Sequence, residues 1–239
     1  MLAMRSSRKA CGSEDMRIAL PGRIQIAGVI DQADAERIIE SGADMLGFPL
    51  GLKDGREDLG VEEAAKIVER TSSRVTSVCI TYLDNAAEIA ALCNQLGARW
   101  VQLHGPVELS QIEHLKAIDP DLGIIKSLIV RPDFENALLS EVKKFEPIVD
   151  AFITDTYDPE TGRTGATGKT HDWAVSRKLV RLTEVPVILA GGLTPDNVSQ
   201  AIDQVRPFAV DVHTGVENID GFKSRKLVEE FVRSAIGAL

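Results

Sequence analysis

The sequence contains few cysteines, and their number and spacing narrow the kinds of protein it can be. Its 239 residues include three, Cys11, Cys79 and Cys93, at spacings that form neither a disulfide framework nor a CxxC motif. Sparse, unpaired thiols are typical of a reducing compartment, so the sequence predicts a cytoplasmic protein. No cluster of cysteine and histidine indicates a metal site, and we expect neither a metal nor a cofactor.

Positive charge is also in deficit, because 27 Lys and Arg residues stand against 36 Asp and Glu residues, for a net charge of −9. A nucleic-acid surface needs clustered basic residues, so this balance argues against a nucleic-acid partner. It does not exclude a phosphate ligand, since backbone N–H groups and helix N-termini bind phosphate without net positive charge. No apolar run approaches the roughly 20 residues of a membrane span, so no membrane partner is expected.

The first 23 residues differ from the rest of the chain. They hold basic residues but no apolar segment long enough for a signal peptide, and we expect residues 1–23 to form a mobile N-terminal arm. Residues 24–239 have the length of one large α/β domain and contain neither a linker nor a low-complexity tract.

Short apolar runs alternate with amphipathic stretches through residues 24–239. Many of the runs are rich in Val, Ile and Leu almost throughout, which is typical of parallel strands buried on both faces. The predicted strands are 24–29, 44–50, 75–81, 99–103, 123–129, 150–155, 186–190 and 208–212. The predicted helices are 32–41, 61–71, 84–96, 108–118, 134–146, 172–182, 195–204 and 221–236. Asp31 and Asp84 are the expected N-caps of two helices, and Gly42, Gly97 and Gly123 are expected left-handed helix ends.

Eight strand–helix units in one domain predict a (β/α)8 barrel of parallel strands, a TIM barrel. A doubly wound open sheet is the alternative, but eight regular units favour closure. In a barrel the chemistry lies on the loops that follow the strands, so functional residues are sought there.

Two glycine-containing segments, LAGGLTPDN and VDVHTGVE, cover the ends of the seventh and eighth predicted strands. Glycines allow a ligand to approach the backbone closely, and a neighbouring hydroxyl adds a donor. The loops after strands seven and eight are the usual phosphate-binding loops of such barrels. We therefore predict a phosphate site formed by Gly191, Gly192, Thr214 and Gly215; the alternative is that these glycines only form tight turns.

These segments resemble loops of the phosphoribosylanthranilate isomerases, which carry out an Amadori-type isomerisation in tryptophan biosynthesis. The likeness runs in the same order from residue 24 to about 232. It includes SGADMLGF at the second strand, WVQLHG at the fourth, IIKSL at the fifth, and Asp155 with GATGKTHDW after it. In the last segment His171 replaces the family's usual phenylalanine. The resemblance implies a barrel that binds a small phosphorylated sugar derivative.

The resemblance also implies roles for three polar residues. Asp155, at the end of strand six, matches the family's general acid, and a carboxyl in a dry apolar site can stay protonated for that task. The alternative is an aspartate that caps a helix or orders a loop. His104 and Asp211, at the ends of strands four and eight, are implied substrate contacts, or else they hydrogen-bond to neighbouring loops.

The first strand departs from the family at its catalytic position. Family members carry a cysteine, the general base, in the segment KICGIT, whereas this chain reads QIAGVI with Ala27 at that position. Alanine cannot accept a proton, so the sequence predicts an isomerase weakened by loss of its base. Cys11, in the segment KACG, imitates the motif but lies in the polar arm, and we interpret it as a decoy.

Other ionisable residues near the strand ends can replace the cysteine as a base only if their pKa values are shifted. Cys79 falls in a strand and is interpreted as a small buried hydrophobe. Lys126 resembles a lysine that the family carries in any case. His213 lies beside the predicted phosphate loop and is not a family residue there.

The loop after strand two also differs from the family. Arg56 has the same spacing from the second strand, at Gly47, as the family's arginine. It is expected to pair with a substrate carboxylate, although Glu57 and Asp58 beside it can neutralise it. The leading interpretation is a phosphoribosylanthranilate isomerase homologue, monomeric or homodimeric. The alternatives are a diverged barrel enzyme acting on another phosphosugar and a ligand-binding pseudoenzyme.

Overall fold

Short buried strands alternate with helices along the chain, as the sequence predicts. The computed structural model describes residues 17–52, 59–131, 135–156 and 170–239. Its strands are β1 (Ile24–Ala27), β2 (Met45–Pro49), β3 (Thr76–Thr81), β4 (Trp100–Leu103), β5 (Gly123–Val130), β6 (Ala151–Thr156), β7 (Val187–Leu189) and β8 (Ala209–Val212). Its helices are α1 (Gln32–Glu40), α2 (Val61–Thr71), α3 (Ala86–Leu96), α4 (Leu109–Ile118), α5 (Glu135–Phe145), α6 (Trp173–Leu182), α7 (Val198–Val205) and α8 (Arg225–Ile236), with a 3-10 helix at Thr214–Val216.

The sheet closes on itself. Each strand pairs in parallel with the next along the chain, and β8 pairs in parallel with β1. In the closing pair Gln25 lies opposite Asp211 and Ile26 lies opposite Val212. This closure confirms the predicted single-domain (β/α)8 barrel and excludes the open sheet.

Capping side chains fix where the helices begin. Asp31 caps α1 as predicted, and its carboxylate accepts a hydrogen bond from the Asp34 N–H at 2.6 Å. The prediction that Asp84 caps α3 was wrong, because Asn85 accepts hydrogen bonds from two N–H groups of the first turn instead. Gly97 ends the same helix with a φ of 77°, and Gly42 follows α1 with a φ of 94°, which confirms two predicted left-handed positions. The prediction for Gly123 was wrong, because this residue begins β5 and its φ is not positive.

The barrel interior is filled from alternate positions of the strands, since successive side chains of a strand point to opposite faces. The apolar members of this inner layer are Ala27, Met45, Val78, Ile80, Trp100, Ile125, Ala151, Ile153, Ile188, Ala190 and Ala209. A larger apolar layer lies between the strands and the surrounding helices. The polar side chains that face inward therefore concentrate at particular levels of the barrel, and one of these levels forms the site.

Residues 17–23 lie at the N-terminal end of the barrel. Leu20 is buried and belongs to the inner apolar layer. The Ile18 N–H donates to Asp150 Oδ1 at 2.8 Å, and the other oxygen of that carboxylate accepts from Lys116 Nζ at 2.6 Å. The predicted arm is thus described from residue 17 onward, and this part of it is packed against the barrel.

Candidate active site

A cavity of about 160 Å³ opens at the carboxyl ends of the strands, where a barrel carries its chemistry. It brings together eight of the nine residues that were predicted to form the site, and His213 also lines it: the eight are Ala27, His104, Asp155, Gly191, Gly192, Asp211, Thr214 and Gly215. The ninth, Arg56, and the segment GATGK at 165–169 lie outside the described residues.

The carboxyl of Asp155 is buried at the end of β6. Its Oδ1 accepts a hydrogen bond from the Thr156 N–H at 2.7 Å, and its Oδ2 lies 3.7 Å from His104 Nε2. Burial raises the pKa of Asp155, while the nearby imidazole and the Thr156 N–H offset part of that rise. Burial thus shifts this carboxyl toward its protonated form, and the carboxyl lines the cavity, as a proton donor must.

His104 is held by contacts on two sides. Its Nδ1 lies 3.3 Å from Ser127 Oγ, and its ring packs against the ring of Tyr82 with the centroids 4.7 Å apart. These contacts aim Nε2 at Asp155. His104 therefore contacts both the cavity and the acidic side chain at its wall.

His171 connects the end of β6 to helix α6. Its Nδ1 lies 3.0 Å from Thr156 Oγ1, and its Nε2 lies 2.6 Å from Ser176 Oγ. Burial lowers the pKa of His171 to about 4, so the imidazole is neutral near pH 7. This link holds the side chain of Thr156, the residue whose N–H binds Asp155. His171 was recognised from the sequence as a departure from the family pattern, but no sequence signal indicated this contact.

The two glycine loops contact each other and the end of β6. Gly191 and Gly192 have φ values of 99° and 63°, which favour glycine, and a Cβ on Gly191 would overlap Thr156 Oγ1. A Cβ on Gly215 would overlap the carbonyl oxygen of Leu193. Close packing therefore requires glycine at 191 and 215, and the same loops present backbone to the cavity.

Ala27 ends β1 and contributes only a methyl group to the cavity wall. It lies opposite Gly47 of β2, and a Cβ on Gly47 would lie 3.0 Å from the Ala27 Cβ. Its neighbour Gly28, with a φ of 79°, is covered by the ring of His213. The wall is therefore narrow at this point and built from small residues.

Asp211 lies inside β8, with its side chain at the base of the cavity. Burial raises its pKa to about 7; a hydrogen bond from Gln25 and the charge of Lys223 offset part of this rise, and Asp155 adds to it. Its Oδ1 and the Oε1 of the opposing Gln25 are buried and have no hydrogen-bond partner among the described residues. The Gln25 amide nitrogen meanwhile donates to Gln102 Oε1 at 3.1 Å.

A charged network supports the loop after β8. The buried Lys223 donates from Nζ to Glu217 Oε1 at 2.6 Å and to the carbonyl of His213 at 3.0 Å. Its N–H binds Asp34 Oδ1 of α1 at 3.1 Å. His213 Nε2 lies 3.4 Å from Glu217 Oε1, and burial lowers the pKa of His213 to about 3. Sequence analysis did not identify this network, because Asp34 lies 189 residues before Lys223 and no local pattern indicates that Lys223, Glu217 and His213 pair.

Two of the residues considered as substitutes for the cysteine do not line this cavity. Cys79 is fully buried in the layer between strands and helices, as its interpretation as a small hydrophobe predicts. Lys126 donates from Nζ to the carbonyls of Gly105 and Ser127, and its pKa is lowered by burial. Its side chain lines a separate cavity of about 340 Å³.

Within the described ranges, no three side chains of His, Cys, Asp or Glu are grouped as metal ligands would be. No helix in the described part of the chain is both long and apolar enough to cross a membrane.

Comparison with known proteins gives one family. The model of N-(5′-phosphoribosyl)anthranilate (PRA) isomerase matches residues 24–234. N-(5′-phosphoribosyl)anthranilate isomerase 2 of Methanosarcina mazei is 39% identical over 215 residues, 89% of this chain and 93% of that protein. The isomerase structure from Pyrococcus furiosus is 30% identical and has a TM-score of 0.74, covering 90% of this chain and 99% of that one.

A further solved structure holds a ligand. It is a phosphoribosylanthranilate isomerase in complex with reduced 1-(o-carboxyphenylamino)-1-deoxyribulose 5-phosphate, 26% identical, with a TM-score of 0.75, covering 90% of this chain and 99% of that one. The family model spans nearly all of the barrel, and the Methanosarcina relative is matched along most of both chains. The chain belongs to the N-(5′-phosphoribosyl)anthranilate isomerase family.

Proposed function

We propose that this protein isomerises N-(5′-phosphoribosyl)anthranilate to 1-(o-carboxyphenylamino)-1-deoxyribulose 5-phosphate in tryptophan biosynthesis. The observation that carries the proposal is the cavity itself, in which a buried carboxyl with a raised pKa faces two glycine loops. Family membership and the complex of a relative with the reduced product support the choice of substrate.

Asp155 is the general acid of this proposal. The reaction begins when the ring oxygen of the ribosylamine takes a proton and the bond between that oxygen and C1 breaks. The electron pair on nitrogen then forms the double bond of an iminium ion. Burial favours the protonated carboxyl before the step, and His104, 3.7 Å away, stabilises the carboxylate afterwards.

The substrate's phosphate binds at Gly191, Gly192, Thr214 and Gly215. Both loops line the cavity, and their glycines carry no side chain that would come between the backbone and a ligand. Asn197 holds the first loop by accepting from the Thr194 N–H at 2.8 Å and donating to the Gly192 carbonyl at 3.0 Å. Donors fixed before the ligand arrives lose less entropy on binding.

His104 and Asp211 contact the sugar, and Arg56 pairs with the carboxylate of the anthranilate. The first two assignments are supported by the position of both side chains in the cavity wall. The third depends on the sequence spacing alone.

Ala27 makes the enzyme slower than a relative with cysteine at this position. A general base typically contributes about 10²–10⁴-fold to the rate, and a methyl group cannot take a proton. The protein acts in the cytoplasm, as a monomer or a homodimer, without a cofactor or metal.

Growth of a tryptophan auxotroph that lacks the isomerase tests this function. Expression of the chain is expected to restore growth without tryptophan, more slowly than a cysteine-containing relative does, and the purified protein is expected to consume phosphoribosylanthranilate. The matched control is the chain with Asp155→Asn at equal expression. Neither growth nor turnover by the wild-type chain would contradict the proposed function and favour a different phosphosugar ligand.

A further inference from the structure

The proposed isomerisation needs a base as well as an acid. After the ring opens, the proton on C2 of the sugar must leave before the enamine can form. Ala27 offers no acceptor, so another group in the cavity must take this proton. The described carboxyl and imidazole side chains that line the cavity are His104, Asp155, Asp211 and His213.

Three of these four groups are unsuited to the task. Asp155 carries the proton that opens the ring, and His104 faces that same carboxyl. His213 is neutral, and its pKa of about 3 makes it a weak proton acceptor. Its Nε2 is directed toward Glu217 and its ring covers Gly28. Among the described carboxyl and imidazole groups that line the cavity, Asp211 is the one that remains.

We propose that the carboxylate of Asp211 removes the proton from C2 of the sugar, a role that rests on the isomerase activity proposed above. In the pairing of β8 with β1, Asp211 lies opposite Gln25, which is two residues before Ala27. Residues two apart on a strand point to the same face, so Asp211 and Ala27 both point into the barrel. Ala27 contributes only a methyl group to the wall, and both residues line the same cavity.

The surroundings of Asp211 suit a group that takes up a proton. Its Oδ1 and the opposing Gln25 Oε1 are two buried acceptors without a partner among the described residues. A proton on the carboxyl lets Asp211 donate to Gln25, which satisfies both atoms at once. The acidity of the group is also matched to the step, because a base with a pKa near the working pH is the most effective.

The proton and electron balance closes without an oxidant or co-reactant. Asp211 takes the C2 proton, the electron pair of that C–H bond forms the C1=C2 double bond, and the C1=N pair returns to nitrogen. The resulting enol loses its hydroxyl proton and gains a proton at C1, which gives the ketone. Asp155 and Asp211 then regain their starting protonation states by exchange with solvent.

A pair of isosteric variants separates a base from a packing residue. Asp211→Glu keeps a carboxyl, and Asp211→Gln carries an amide on a side chain of the same length as Glu. Both are one methylene longer than Asp, so any loss of activity due to the added length is common to both variants. We expect the Glu variant to turn over phosphoribosylanthranilate at least about tenfold faster than the Gln variant. Asp211→Asn is expected to lower kcat by about 10²-fold or more while it binds the reduced product with a Kd within about tenfold of the wild-type value. The exposed Asp203→Asn serves as the control for the chemical change.

Deuterium at C2 of the substrate reports the step itself. In Asp211→Asn we expect the isotope effect on kcat to rise, because removal of this proton becomes more fully rate-limiting. Equal turnover by the Glu and Gln variants, or a loss of reduced-product binding as large as the loss of kcat, would overturn the assignment and make Asp211 a binding residue. If the wild-type protein does not turn over the substrate, the proposed function fails first and this role fails with it.

Discussion

The imidazole of His104 faces the carboxyl of Asp155 with 3.7 Å between Nε2 and Oδ2, although the two residues lie at the ends of β4 and β6. Ser127 of the intervening strand β5 lies 3.3 Å from the other ring nitrogen. The three strands thus aim one imidazole at one buried carboxyl. A group in this position opposes the rise in the pKa of Asp155 that burial causes.

The first prediction concerns this acid. Asp155→Asn keeps the size of the side chain but removes the proton, so isomerase turnover is expected to fall by about 10²-fold or more with little change in melting temperature. Steady-state kinetics and thermal denaturation of the variant measure the two effects, with Asp203→Asn as the control. Turnover equal to that of the wild type would show that the ring oxygen receives its proton from another group.

The second prediction concerns the end of β1. Ala27→Cys places a thiol at the cavity wall and is expected to raise turnover of phosphoribosylanthranilate by about 10²-fold. Cysteine is only slightly larger than alanine, but Gly47 packs closely here, so the melting temperature is measured as well. Ala190→Cys puts a thiol on another wall of the same cavity and is the matched control. An equal rate in wild type and Ala27→Cys would contradict the idea that a base is missing at this position.

The third prediction concerns the phosphate loops. Gly192→Glu introduces a side chain and a negative charge where the anion is proposed to bind, so affinity for the reduced product is expected to fall by more than about tenfold. Gly221→Glu is the control, because Gly221 also has a positive φ, 85°, and lies in open space outside the cavity. Titration calorimetry compares the two. If both variants bind as tightly as the wild type, the anion lies elsewhere.

The fourth prediction concerns stability in acid. The pKa of His171 is about 4 in the folded protein and 6.5 in the unfolded chain. Between pH 4 and pH 6.5 the unfolded chain therefore binds more protons than the folded protein does. The contribution of the neutral His171 to the free energy of unfolding is therefore fully present above about pH 6.5, and it is lost as the pH falls toward 4. His171→Phe removes this titrating group, so the variant is expected to lose up to about 3 kcal/mol less of its free energy of unfolding in acid than the wild type does.

Urea unfolding at pH 7 and pH 4.5 measures this difference. Ser176→Ala is the control, because it removes one partner of the imidazole but leaves the ring to titrate. His213, whose pKa is about 3, is present in both proteins, so its titration lowers the free energy of unfolding of the wild type and the variant equally in acid. Identical pH dependence in wild type and His171→Phe would show that the imidazole is charged in the folded state.

The barrel could be predicted from sequence because local signals repeat eight times. Buried strands, amphipathic helices and capping residues such as Asp31 are properties of short segments, and the observed strands lie within about two residues of the predictions. Asp84 failed as a cap because aspartate and asparagine are adjacent there, and only the three-dimensional turn decides between them. Cavity residues were found because barrel loops converge at one end.

The electrostatics of the site could not be predicted in the same way. Lys223 and Asp34 are 189 residues apart, and nothing in either segment indicates that they pair. The pKa of about 7 for Asp211 arises from burial and from neighbours on other strands, so it depends on the assembled structure. The same holds for His171, whose partners Thr156 and Ser176 lie in different elements.

The packing of Ile18 and Leu20 at the N-terminal end of the barrel has a practical consequence for shortened versions of this protein. A chain trimmed to begin at the first strand would lose the Leu20 side chain from the inner layer and the Ile18 hydrogen bond to Asp150. Asp150 would then keep Lys116 and the Ile124 N–H as donors but lose the Ile18 N–H. A shortened gene for crystallisation or fusion should therefore keep Ile18, Leu20 and the residues that follow them.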